Sequence, residues 1–113
     1  MNIFYLDKDI SKCVNYHNDR HVVKMIVEYC QLASNAHWYY GHEGPYRYTH
    51  KKHPCTSWVI SSKQNYNYLV DLGLALCKEY TYRYEKTHAT QKKLEWLKDN
   101  IPDELPDNGF SEP

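Results

Sequence analysis

Glycine is scarce: Gly41, Gly44, Gly73 and Gly109 stand isolated in 113 residues. That excludes the glycine-rich phosphate loops of Walker and Rossmann sites and the glycine-flanked serine elbow of hydrolases. Nucleotide-cofactor chemistry has no support, and we expect no cofactor. The four cysteines, Cys13, Cys30, Cys55 and Cys77, are 17, 25 and 22 residues apart, so none forms a zinc-knuckle or dithiol pair. They are expected as reduced thiols, buried like small hydrophobes. No apolar run approaches the roughly 18–20 residues that span a bilayer. The start, MNIFYLDKD, lacks the basic-then-apolar order of an export signal. The expectation is a soluble cytoplasmic chain with no membrane partner. Phenylalanine is also rare, two residues against twelve tyrosines. Tyrosine joins an apolar body to a polar tip and suits half-buried and binding surfaces as well as cores.

With 42 % hydrophobic and 25 % charged residues, the chain can bury one core and has the length of one domain. Equal numbers of acids and bases hide a segregation. Residues 1–93 hold 13 Lys and Arg against 8 Asp and Glu, a balance of +5, and all seven histidines. Residues 94–113 hold Lys98 against six acids, a balance of −5. A basic body with an acidic tail keeps nucleic acid in play as a partner.

The apolar spacing is helical throughout, and strand signals are nearly absent. After an extended MNIFYL, Asp9 caps a short helix to about Tyr16, and Asn18 or Asp19 caps a second. Val22, Val23, Met25, Ile26, Tyr29, Cys30, Ala33 and Ala36 carry that second helix to about Tyr40, before Gly41. A polar loop over 41–54 ends at Pro54, which starts one long helix running from Cys55 or Thr56 to Tyr84. Gly73 lies inside it, either at a close helix contact or as a tolerated weak spot. Thr90 caps a last helix with Leu94, Trp96 and Leu97 facing the core. The prediction is an all-α bundle of three to four helices over 1–100, with one long central helix and an extended acidic tail over 101–113.

Two constellations carry chemistry. In HNDRHVVKMIVEYCQ, helical geometry puts His21, Lys24, Glu28 and Gln31 on one face, with His17 near the same side. A histidine, an amine and a carboxylate in one stripe suit proton transfer and amine nucleophilicity. The alternative is a solvated face with a weak Lys24–Glu28 ion pair. In PYRYTHKKHPC, Arg47, Lys51 and Lys52 offer phosphate-seeking charge beside the stacking planes of Tyr46 and Tyr48. The alternative there is a polar loop anchored by two tyrosines. A metal site from His17, His21, His50, His53 and Cys55 competes for some of these residues, without a CxxC or HExxH signature. No metal ligand is assigned.

Together, MNIFYLDKD, HNDRHVVKM, THKKHP before a tryptophan-bearing helix, and LALCKEYTYRYEKTH resemble a family of small phage proteins. More distantly, the chain is similar to the pyrimidine-dimer DNA glycosylases of the phage endonuclease V type. That resemblance implies an all-α fold, base excision at damaged DNA, and strand cleavage through a Schiff base. It further implies an N-terminal amine as nucleophile, here that of Met1, a glutamate on an early helix, and nearby arginines on phosphates. Glu28 supplies the carboxylate, although alignment on His17 puts Lys24 at that position, and Arg20 is the nearby arginine. The leading expectation is a DNA glycosylase and abasic-site lyase with Met1, His17, His21, Lys24 and Glu28 in the cleft. Arg20, Arg47, Lys51 and Lys52 hold phosphates, and Tyr46 or Tyr48 wedges the base step. Two other readings stay open: a non-enzymatic phage module binding nucleic acid or a host protein, and a histidine-based metal hydrolase.

Overall fold

The computed structural model describes residues 2–113, of which five stretches are α-helical. α1 spans Ile10–Tyr16, α2 Asp19–Tyr39, α3 Pro54–Ile60, α4 Lys63–Tyr84 and α5 Gln91–Asp99. No strand occurs among the described residues. The chain is all-α.

The helix starts follow capping chemistry. Asp9 Oδ1 accepts from the Lys12 amide at 3.1 Å, and Asn18 Oδ1 accepts from the His21 amide at 2.9 Å. Each bond satisfies an amide that has no partner within its own helix. α2 ends where Gly41 turns to a φ of +83°, a conformation that glycine adopts without strain. Pro54 occupies the first turn of α3.

The expected single helix over 55–84 is two helices, so the bundle has five helices rather than three or four. Ser61 and Ser62 break it. Ser62 is extended, at φ −161° and ψ 153°, and its hydroxyl accepts the Asn65 amide at 3.0 Å to start α4. The Ser61 hydroxyl donates to the Trp58 carbonyl at 2.6 Å. Both hydroxyls thus compete with the helical ladder for backbone groups. Thr90 stands at the head of α5 without capping it through its side chain. Its hydroxyl instead pairs with that of Tyr46 at 2.8 Å.

The core lies between α2 and α4 and is closed by α5. Ile26, Leu32, Leu69, Leu72, Leu76, Leu94 and Leu97 are fully buried, each stabilising the fold by about 1.5–3 kcal/mol relative to exposure. At Gly73 an added Cβ would lie 2.9 Å from Leu94 Cδ2, so the absent side chain is what lets α4 and α5 approach. Trp96, expected in the core, is 43 % exposed on the outer side of α5. Cys13, Cys30 and Cys77 are buried free thiols and Cys55 is half-buried. Desolvation pushes Cys30 and Cys77 up to about 12, which keeps them protonated and inert.

The acidic tail is extended and seated. Leu105 enters the core, and Lys63 N–H donates to the Pro106 carbonyl at 2.9 Å. Asn65 Oδ1 accepts from Ser111 N at 2.9 Å, and Trp58 Nε1 donates to Ser111 O at 2.7 Å. Phe110 packs against Trp58, Tyr68 and Tyr5. None of the described helices is long and apolar enough to cross a membrane.

Candidate active cleft

The N-terminal segment crosses the first half of α2 and forms a small cleft with it. The cleft holds about 140 Å³ and is lined by Asn2, Phe4, His21, Lys24, Met25 and Glu28. Three residues of the predicted stripe, His21, Lys24 and Glu28, therefore share one concave site. Their spacing of three and four along α2 puts them there, and Met25 beneath them is part of the core. Among the described residues, the side chains of Lys24 and Glu28 enter no hydrogen bond or ion pair. The weak Lys24–Glu28 pair weighed as an alternative is not formed among them. Lys24 is exposed, while His21 and Glu28 are half-buried. The Phe4 ring stacks on His21 with centroids 4.2 Å apart and planes 21° from parallel.

His17 stands behind this cleft, not in it. It is 1 % exposed and enters a chain of hydrogen bonds that fixes the N-terminal segment. Its Nδ1 lies 2.7 Å from the Cys13 carbonyl, an acceptor only, so Nδ1 carries the proton and donates. Nε2 then accepts from the Tyr29 hydroxyl at 3.2 Å. The Tyr29 oxygen in turn accepts from the Phe4 amide at 2.9 Å, and Cys13 Sγ donates to the Phe4 carbonyl at 3.1 Å. Burial is the main force lowering the His17 pKa, which favours the neutral ring this chain requires. The same burial raises that of Tyr29 and keeps its hydroxyl protonated.

Tyr29 escaped the sequence reading because helical spacing marks it only as core. The excess of tyrosine over phenylalanine was the available signal that hydroxyls are in use.

The basic loop lies further along the same helix. Asn35 continues the stripe of Glu28 and Gln31 by helical spacing and binds the loop, donating to Thr49 O at 2.6 Å and accepting from Thr49 N at 3.3 Å. Arg47, Lys51 and Lys52 are exposed on this loop, and Arg20 is exposed beside His21 on the first turn of α2. Tyr46 is anchored at three points: its hydroxyl on Thr90, its carbonyl on Trp38 Nε1 at 2.7 Å, and its amide on Ser34 Oγ at 3.3 Å. Tyr48 is half-buried with Lys51 Nζ 4.7 Å from its ring centre. Met1 lies outside the described residues. Among the described residues, no group of three or more His, Cys, Asp or Glu could hold a metal ion.

Residues 1–92 match the family model of the pyrimidine dimer DNA glycosylases. The chain belongs to this family. Comparison with curated proteins and with solved structures finds no match. The matched residues contain the N-terminal segment, α1 to α4 and the whole cleft.

Proposed function

We propose that this chain is a DNA glycosylase and abasic-site lyase acting on damaged or modified pyrimidines through an amine nucleophile. The observation that carries the reading is the cleft, which puts the N-terminal segment against Lys24 and Glu28 in a member of this family. Its volume of about 140 Å³ is small beside the roughly 300–1,000 Å³ of pockets that enclose whole ligands. It suits a sugar carbon and its attacking amine rather than a whole damaged base.

In the first step the amine nitrogen bonds to C1′ of the damaged nucleotide as the bond from C1′ to the base breaks. The departing base takes up a proton. Glu28 accepts the proton released by the amine and faces the positive charge of the iminium that forms on opening of the sugar ring. The ring oxygen takes up a proton as the ring opens, loss of a C2′ proton expels the 3′ phosphate and cuts the strand, and water releases the enzyme amine. Two amines are candidates, that of Met1 and that of Lys24. An α-amine ordinarily titrates near 7.7–8.0 and a lysine amine near about 10.4, so at neutral pH the α-amine is the readier nucleophile. His17 and Tyr29 are positioning residues, holding Phe4 and with it the path of the N-terminal segment. Arg20, Arg47, Lys51 and Lys52 hold DNA phosphates, and Tyr48 is freer than the anchored Tyr46 to meet a base.

The test incubates the protein with duplexes carrying a thymine dimer, an abasic site or neither, in the presence of borohydride. Hydride reduces the iminium to a stable secondary amine, so a covalent adduct on the damaged duplexes alone supports the reading. Neither adduct nor strand cleavage on any duplex would refute it and leave a module that binds without chemistry.

A further inference from the structure

A mostly apolar recess of the surface lies away from the cleft, between α5 and the loop after α2. It holds about 500 Å³ and is lined by Glu43, Gly44, Pro45, Lys92, Lys93 and Trp96. A second recess of about 390 Å³ shares the wall from Glu43 to Pro45 and continues to Arg47 and Tyr48. The two form one track with an exposed indole at one end and a tyrosine ring at the other. Arg47, Lys92 and Lys93 supply three positive charges along it against the single negative charge of Glu43.

The track is built rigidly. Tyr46 joins the loop to the head of α5 through Thr90, and Lys93 Nζ lies 5.3 Å from the Tyr46 ring centre. Gly44 is pressed onto α2 so closely that an added Cβ would lie 2.8 Å from Ser34 O. Trp96 is 43 % exposed, although its position on α5 would let a smaller polar residue serve a solvent face. Lys93 and Trp96 also lie beyond residue 92, where the family match ends.

We infer that this track is a further nucleic-acid site, sharing Arg47 and Tyr48 with the basic loop, which takes a short single-stranded stretch with one base stacked on Trp96. Flat aromatic faces alternating with cations match the bases and phosphates of an unpaired strand. A duplex keeps its base faces hidden, and an apolar peptide finds no use for the cationic rim. The stripe on α2 links the two sites: Ser34 and Asn35 hold Tyr46 and Thr49 of the loop, and Gln31 and Glu28 follow one and two turns back toward the cleft. The inference does not depend on the amine chemistry, because undamaged DNA suffices to probe it.

The experiment measures the affinity of a dye-labelled oligothymidylate of about eight nucleotides by anisotropy at several salt concentrations. Trp96→Ala is expected to weaken binding about 5- to 150-fold, the range that loss of one stacked base produces, while Trp96→Phe retains most of it. Replacing Lys92 and Lys93 together by alanine should reduce the slope of log affinity against log salt by about 1.4, two phosphates on a single strand. Lys78→Ala, a lysine on the recess between α1 and α4, should change neither. Circular dichroism of each variant checks that the helices remain. Unchanged affinity in Trp96→Ala, or an equal loss in Lys78→Ala, would overturn the inference, as would no binding by the wild type at low salt.

Discussion

The two halves of α2 carry similar polar residues and use them in opposite ways. In the C-terminal half, Ser34, Asn35 and His37 are buried and every one is engaged: Ser34 with Cys30 O and Tyr46 N, Asn35 with Thr49 and Thr56, His37 with Tyr66. Tyr66 donates to Leu97 O at 2.7 Å and accepts from His37 Nε2 at 3.0 Å, so that histidine is a strut between α2, α4 and α5. In the N-terminal half, the side chains of Lys24 and Glu28 line a cleft and, among the described residues, enter no hydrogen bond or ion pair. Polar groups whose bonding capacity is spent on the fold stabilise it. Those left unspent in a concavity are the ones free to act on a substrate.

The sharpest way to break this contrast is Glu28→Gln. With no described partner to lose, it should leave unfolding free energy within about 0.5 kcal/mol. It should slow single-turnover cleavage of an abasic duplex by about 10²- to 10⁴-fold, the ordinary contribution of a general base. A slower enzyme that is also markedly less stable would put Glu28 among the struts.

Next in size is the pH response of His37. Burial first, and then the nearby His42, lowers its pKa from 6.5 to about 4, with Glu104 opposing. Its folded value lies below its unfolded one, so the unfolded chain takes the proton first on acidification. The stabilisation is full above about pH 6.5 and is lost as pH falls toward about 4, with a total of roughly 3 kcal/mol. Urea unfolding across that range should fall off less steeply in His37→Gln than in the wild type. Identical pH dependence would remove His37 from the set of struts.

Asn35→Ala should then lower stability by about 1–3 kcal/mol, because it leaves buried partners on Thr49 and Thr56 unmatched. At full occupancy of the fold its cleavage rate should stay near that of the wild type, the reverse of Glu28→Gln. The smallest effect is at Gly73. Alanine there gains about 1 kcal/mol of helix propensity and meets Leu94 at 2.9 Å, an overpacking cost of about 1–3 kcal/mol. A net loss of about 1 kcal/mol in thermal or urea unfolding is expected, and a net gain would show that Leu94 yields freely.

The contrast also marks how far the sequence could be read. Asp9, Asn18 and Gly41 announce their helix ends because capping is local chemistry, whereas Gly73 left a close contact and a weak spot both open until its approach to Leu94 decided for the contact. The break at Ser61 and Ser62 was not legible, since two serines leave the apolar spacing on either side intact. The stripe of His21, Lys24 and Glu28 follows from helical period alone. What covers a stripe does not: the N-terminal segment reaches it through a bond between Phe4 and Tyr29, 25 residues apart. For the same reason His17 and His21, four apart in sequence, separate into a buried strut and a cleft residue.

The location of the covalent bond tests the account most directly. Borohydride-trapped protein from an abasic duplex is digested and the modified peptide sequenced by mass spectrometry. The account predicts a single modified amine, that of Met1 or that of Lys24. An adduct on Lys51, Lys52 or Lys93 would place the chemistry on the basic loop or on α5 and contradict it.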